Sequence, residues 1–442
     1  MLTQISWRNV WRNRLRSLVV IVAVVLGLTL GIFMMSFSWG INSQRARNII
    51  ESQISHVQIH EKEFKDDFKM SRFVPDGAAR LEAISQRPEV VASTGRLKTN
   101  AMLSTSRSAH GVQVSGIDTL SEKQLTKLNE KLVAGKFLAG TRSNPILIGD
   151  KLAERIGWRK TDTLKLERTR GFPWSLFMDA TYTEDSLVYT YTLRKKLVLS
   201  FRDASGEPTS ARFRVTGVFK TVNSKFDETN VFVLRDDLAR LAQAEGEVHQ
   251  IAIRLENDEM AKDTSNLLTQ FGRGDEKLQV ENWMELAPDL ALLDQSFVVS
   301  LTIFMGIILL ALLFTIINTM LMAVMERTRE LGMLMAIGMK RGQIFRMVML
   351  ETLFLSLLGG PIGLLIAYGL VSLFGTVGID LSKMADADAS SQFGISSMAY
   401  TYLEPEYYAL IAIMVLVTAF IASVFPAFKA FRMNPIEAMR SQ

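Results

Sequence analysis

Four stretches of the chain, residues 18–39, 297–324, 347–377 and 407–428, run almost without charge. Each supplies the roughly 20 apolar residues that a helix needs to cross a bilayer. Between the first and second lies a long segment, 40–295, of ordinary globular patterning. There, alternation and short apolar runs predict short strands at 55–60, 93–104, 111–117, 145–149, 162–167, 213–220, 229–234 and 248–255. Helical spacing predicts helices at 75–90, 120–132, 235–243 and 258–271. Residues 41–53 continue the first span as a helix, and Leu286, Leu290 and Leu293 extend the second span backwards as a stalk. The expected fold is therefore a membrane protein with four transmembrane helices. A large α+β extracytoplasmic domain sits between helices 1 and 2.

Charge orients these elements. The net charge of +5 is concentrated at span ends: Arg8, Arg12, Arg14 and Arg16 before the first, Arg327, Arg329, Lys340, Arg341 and Arg346 between the second and third, and Lys429, Arg432 and Arg440 after the fourth. The loop between spans three and four is acidic instead, with Asp380, Asp386, Asp388, Glu404 and Glu406. Basic flanks stay in the cytoplasm, so both termini and the 326–346 elbow are expected inside, with 41–295 and 378–406 outside. That distribution also argues against nucleic acid as a partner. Trp7 and Trp11 alternate with arginines in residues 1–17, the pattern of an interfacial helix against membrane lipid.

Candidate chemistry is sparse. The sequence holds no cysteine, which excludes a thiolate nucleophile and disulfides. It holds no P-loop, no G-x-S-x-G elbow and no H-E-x-x-H. His56 and His60 lie four apart on an expected strand, without a third ligand nearby in sequence, so no metal site is expected. No span carries the central charges of an ion-coupled carrier. Any work the chain does is therefore powered by a partner. Within the spans, Gly27 and Gly31, and Gly359 and Gly363, offer close helix contacts. Glu351, near the start of the third span, is expected to pair with Lys340, Arg341 or Arg346. In the outer domain, 168–194 is rich in aromatic and polar residues, and Phe172, Trp174 and Phe177 are candidates for a surface facing substrate.

The elbow is the densest signal. Glu326, Arg327, Arg329 and Glu330 precede a short amphipathic run with Leu331, Leu334, Met335 and Ile337, then Gly338 and a basic turn. Asn318 and Thr319 lead into it, and Gly332, Ala336 and Gly338 follow the charges. With Pro426, Lys429, Ala430, Arg432, Asn434, Pro435, Glu437 and Ala438 in the tail, and with one span, a large outer domain and three further spans, the chain resembles the FtsX-like (MacB-type) permeases of ABC transporters. The resemblance covers nearly the whole chain and lies closest to the lipoprotein-releasing (LolC/LolE-like) branch.

That resemblance implies a non-enzymatic permease subunit of the cell (inner) membrane. A separate cytoplasmic ABC ATPase dimer binds ATP and Mg, and this chain binds no cofactor. It implies a second copy or a homologous permease beside it, and mechanotransmission to an outer domain that handles a lipoprotein or another periplasmic substrate. The elbow would be the coupling helix. Leu331, Leu334, Met335 and Ile337 would fill an ATPase groove, Glu326, Arg327, Arg329 and Glu330 would set register, and Gly338 would end the helix. Asn318 belongs to the helix-packing set. The alternatives are a regulator that activates an outer partner such as a cell-wall hydrolase, a drug or peptide efflux permease, and a membrane-anchored enzyme. The missing catalytic array argues against the enzyme.

Overall fold

A computed structural model describes residues 2–138, 144–170, 180–256, 277–381 and 394–433. The chain divides into two compact units, one of Met1–Gln44, Leu292–Met384 and Met398–Gln442, the other of Arg45–Ala291 and Ala385–Ser397. Helices used below are α1 (Leu2–Arg12), α2 (Arg14–Ile49), α3 (Thr119–Leu125), α4 (Pro288–Glu326), α5 (Thr328–Ala336), α6 (Arg341–Val377) and α7 (Pro405–Phe431). Helices α2, α4, α6 and α7 are each long and apolar enough to cross a membrane.

In the first unit, small residues set the packing. A Cβ on Gly359 would lie 3.0 Å from Val24 Cβ and 3.3 Å from the Ile21 carbonyl oxygen, so α6 and α2 meet almost backbone to backbone. Gly363 extends the contact: its Cβ would lie 3.2 Å from both Leu28 Cβ and Val25 Cα. Its carbonyl accepts from Thr29 Oγ1 at 3.3 Å. Gly27 and Gly31 face α4, where a Cβ would meet Leu312 Cδ2 at 3.0 Å and Ile308 Cδ1 at 2.9 Å. Helix α2 thus sits between α4 and α6, with one glycine pair at each contact.

The second unit is α+β. Its strands are β1 (Val57–Glu61), β2 (Val90–Ser104), β3 (Ala109–Ile117), β4 (Leu132–Gly135), β5 (Pro145–Gly149), β6 (Arg159–Arg170), β7 (Ala180–Tyr191), β8 (Lys196–Arg202), β9 (Pro208–Phe219), β10 (Asn230–Leu234), β11 (Gln250–Leu255) and β12 (Leu278–Asn282). The long β2 serves two sheets. Its first half pairs with β11, in the order β12–β1–β11–β2, while its second half pairs with β3 and β8. From β2 the pairings run β3–β10–β5–β9–β8 and return to β2, closing a six-stranded ring. Leu97, Leu103, Val114, Ile146, Leu199, Phe213, Val215 and Val231 pack together as its core, each nearly or wholly buried.

Several expected elements have other bounds. The helix expected at 120–132 stops at Leu125, because Lys127 takes a left-handed conformation and a 3-10 turn leads into β4. The stalk expected from 283 is broken. Asn282 caps a one-turn helix, Trp283–Leu286, by exchanging hydrogen bonds with Glu285, and Pro288 then starts α4 afresh. Strands β4, β7, β8 and β12 were not expected. β6 and β7 pair antiparallel over twelve positions, Arg159 with Tyr191 through Arg170 with Ala180, which takes in residues 168–170 and 180–191 of the aromatic and polar region. Phe172, Trp174 and Phe177, the helix expected at 258–271, Asp386, Asp388, and the tail from Asn434 lie outside the described residues.

The two histidines on β1 and its flank serve the fold. His56 Nδ1 accepts from the Leu255 amide at 3.1 Å. His60 Nε2 lies 2.8 Å from Glu281, which Lys65 also contacts at 2.5 Å. Among the described residues no group of three potential ligands could hold a metal ion. Deeper in the unit, Arg96 and Glu122 form a buried, two-pronged ion pair at 2.5 and 3.0 Å that ties β2 to α3.

Candidate functional site

The elbow forms because the chain cannot continue α4 past Glu326. Arg327 leaves helical geometry, with φ −100° and ψ 14°, and α5 starts at Thr328. Glu330 lies in the first turn of α5, where the helix dipole favours a carboxylate. At the other end Gly338 adopts φ +108°. Its amide donates to the Met335 carbonyl at 3.1 Å, and the next amide, Met339, reaches back to Leu334 at 3.0 Å. Those are the two bonds of a Schellman stop, which needs glycine at the left-handed position. Gly338 thus ends the helix. Lys340 then caps α6, its amide donating to Gln343 Oε1 at 2.9 Å.

The apolar residues of α5 divide between two faces. Leu331 is 2 % exposed and packs with Val324, Ile344, Met347, Val348, Ala427 and Ala430. Leu334 and Met335 are partly buried against the same cluster. Ile337, by contrast, is 85 % exposed and Met333 46 %. At about 100° per residue, Ile337 lies about 120° round the helix from Leu331, so the four residues grouped by sequence do not share one surface. Three of them hold the elbow to its own chain. Met333, Ile337 and the exposed Arg329 face outward.

The charges follow the same division. Arg12 of α1 engages both carboxylate oxygens of Glu330, and Arg16 pairs with Glu326. Arg327 donates through Nε to Glu330 at 3.1 Å and through Nη1 to both oxygens of Glu351, at 3.2 and 3.3 Å. The Arg12 guanidinium, with smaller help from Arg327, holds the Glu330 carboxyl below the usual carboxylate range. The partner of Glu351 is therefore Arg327 rather than Lys340, Arg341 or Arg346. Lys340, Arg341 and Arg346 are all exposed, whereas Glu351 is buried. Arg327 reaches it because the helix break places a basic residue beside α6.

Sequence reasoning missed the part played by α1. Ser6 Oγ donates to the Met347 carbonyl at 3.1 Å, Ile5 packs on the elbow cluster, and the Trp7 ring meets Phe354 edge-on at 5.6 Å. Trp7 and Trp11 are nonetheless 42 % and 47 % exposed, so α1 keeps the two-faced character of an interfacial helix. The i, i+4 spacing of Arg12 and Arg16 is present in the sequence, but basic residues beside a span are expected for topology alone. Asn318 is exposed on α4, away from the glycine contacts, in a stripe with Ile307, Leu310, Phe314 and Met322.

Comparison with known proteins matches residues 17–271 to the MacB-like periplasmic core domain and residues 302–435 to the FtsX-like permease C-terminal region. The ABC transporter permease YtrF of Bacillus subtilis is 27 % identical over 335 residues, covering 72 % of this chain and 74 % of that protein. The macrolide export ATP-binding/permease protein MacB of Wolinella succinogenes is 27 % identical over 232 residues, covering 51 % of this chain and 30 % of that protein. Among solved structures, the periplasmic region of MacB from Actinobacillus actinomycetemcomitans is similar at a TM-score of 0.33 and 12 % identity, covering 55 % of this chain and 96 % of that one.

Proposed function

The chain belongs to the family of the MacB-like periplasmic core domain, joined to an FtsX-like permease C-terminal region, and on that premise we propose that it passes force from a separate cytoplasmic ATPase dimer to its α+β domain outside the membrane. The ATPase supplies ATP and Mg, since no P-loop occurs in this sequence. Both termini and the elbow lie in the cytoplasm, and the α+β unit lies beyond the inner membrane, as the basic span ends require. The observation that carries this reading is the outward face of α5. Met333 and Ile337 present exposed apolar surface beside Arg329, on a helix locked to its own chain by Leu331 and by ion pairs. A rigid helix with an apolar tip is suited to receive movement from a groove.

Changing Met333 and Ile337 together to Asp is expected to cut co-purification of a co-expressed ATPase by about tenfold or more, the effect of losing about 1.4 kcal/mol of docking energy. The folded permease should survive, because both residues face away from the elbow cluster. Undiminished co-purification would sink the docking reading. Asp at Leu334 and Met335 makes a poorer test, since both pack on the chain's own core.

Asn318 bears on the second permease subunit. Its side chain has no hydrogen-bond partner among the described residues and sits on a helix face otherwise apolar. An unpaired amide at bilayer depth is costly, and a neighbouring permease would supply its partner. In the cysteine-free chain, Asn318→Cys is expected to give a permease–permease cross-link in membranes, while Ile366→Cys on α6 gives none. The reverse pattern would remove α4 from the pairing face.

The outer substrate is read as a lipoprotein or another envelope molecule, met through Phe172, Trp174 and Phe177 between β6 and β7. Small-molecule export is a second reading, favoured by the similarity to a macrolide export protein. Photocrosslinkers at those three positions separate the two. Lipoprotein adducts support the first and their absence favours the second, while adducts to a soluble hydrolase alone would instead favour a regulator.

A further inference from the structure

We infer that α1 and the first turn of α2 are the positioning element of the elbow, with Arg12 of α1 and Arg16 of α2 acting through Glu330 and Glu326 so that α1, the start of α2, α5 and the start of α6 move as one body. Its bearing on coupling rests on the ATPase docking proposed above. Three contacts from α1 and one from the start of α2 support the assignment. Arg12 grips Glu330, Arg16 pairs with Glu326, Ser6 bonds to the Met347 carbonyl, and Ile5 joins the cluster that buries Leu331. The ion pairs also form a chain. Glu330 is shared by Arg12 and Arg327, and Arg327 continues to the buried Glu351 of α6.

Isolated surface ion pairs contribute little stability, but a bidentate pair within a network fixes geometry. A partner ATPase seeking Glu326 or Glu330 would have to displace arginines of this chain. These acids therefore set the attitude of α5, leaving Arg329 and the apolar tip for docking.

The absence of cysteine makes a direct test possible. Leu331→Cys reports elbow seating, because Leu331 is 2 % exposed, while Ile337→Cys, at an 85 % exposed position, controls for reagent access. Full-length protein in inside-out vesicles is labelled with a membrane-impermeant maleimide. Arg12→Glu is expected to raise labelling at position 331 by about tenfold, as local opening becomes more populated, with little change at 337. Adding Glu330→Arg should bring the rate back close to that of the parent, and the Arg16→Glu and Glu326→Arg pair should behave alike. Unchanged labelling in Arg12→Glu, or no rescue by either charge swap, overturns the inference. ATPase co-purification is read separately: loss of ATPase binding in the Met333 and Ile337 variant tests docking, whereas rescue of labelling tests the clamp without any ATPase present.

Discussion

Replacing Glu122 with alanine is expected to lower the unfolding free energy of the α+β unit by about 3–5 kcal/mol, the cost of leaving one member of a buried ion pair alone. The side chains of Arg96 and Glu122 are 3 % and 1 % exposed. Arg96 meets Glu122 through Nε and Nη2 and gives Nη1 to the Gln53 carbonyl at 3.2 Å. Thr126 Oγ1 donates to the same carboxylate at 2.8 Å. Alanine removes the counter-charge and strands the guanidinium between β2 and α3. Domains are commonly stable by only about 5–15 kcal/mol, so this one change consumes a large share of the margin. Replacing both partners, Arg96→Met with Glu122→Leu, is expected to cost far less, because no charge is then left buried. Thermal unfolding of the full chain in detergent, followed by proteolysis within the α+β unit, distinguishes the outcomes. A Glu122→Ala protein within about 0.5 kcal/mol of the parent, the range of ordinary surface changes, would contradict the assignment.

Neither residue of that pair stands out in the sequence. A buried arginine and a surface arginine are written alike, and only tertiary packing separates them. The membrane unit was far more legible. Long apolar runs have few physical solutions, and the basic span ends add direction. The Gly-x-x-x-Gly spacings located both glycine seams before any contact was known. The α+β unit was legible in its buried strands, β2, β3, β5 and β11, where alternation or a continuous apolar run was strong. It was partial at β6–β7: 162–167 of β6 is legible, but the mixed polar and aromatic residues of β7 give no clean alternation. Among the described residues these two strands pair only with each other, outside the ten-stranded sheet.

The elbow was found at once, and its composition was sound, but its faces were merged. Leu331 and Ile337 differ by six positions, a spacing that places them well apart on a helix. The charges of 326–330 were assigned to a partner because nothing in the sequence ties Glu326 and Glu330 to the arginines before the first span. Besides Arg327, the counter-ions of Glu330 and Glu326 lie more than 300 residues earlier, Arg12 on α1 and Arg16 at the start of α2. Glu351 shows the same difficulty at shorter range, since a helix break let Arg327 outcompete three closer basic residues.

Substituting leucine for Gly363 is expected to disable the membrane unit, and a graded glycine series should show why. At Gly363 and Gly359 an added Cβ meets Cβ or backbone atoms of α2 at 3.0–3.3 Å, so the helices themselves must separate. At Gly27 and Gly31 it meets side-chain atoms alone, the end of Leu312 at 3.0–3.3 Å and the tips of Ile308 at 2.9 Å and Met305 at 3.3 Å, which can shift without moving a helix backbone. Alanine at 27 or 31 should therefore be nearly silent. Alanine at 359 or 363 should cost about 1–3 kcal/mol, the range for overpacking a filled core. Leucine at 363 adds further bulk and breaks the approach that lets Thr29 bond the Gly363 carbonyl. Helices in lipid gain no hydrophobic drive to re-associate, so such a separation is not offset elsewhere. Thermal aggregation of the full chain in detergent ranks the five variants. An order in which Gly31→Ala is as damaging as Gly363→Ala would mean that side-chain tips, and not backbone approach, set the packing of α2.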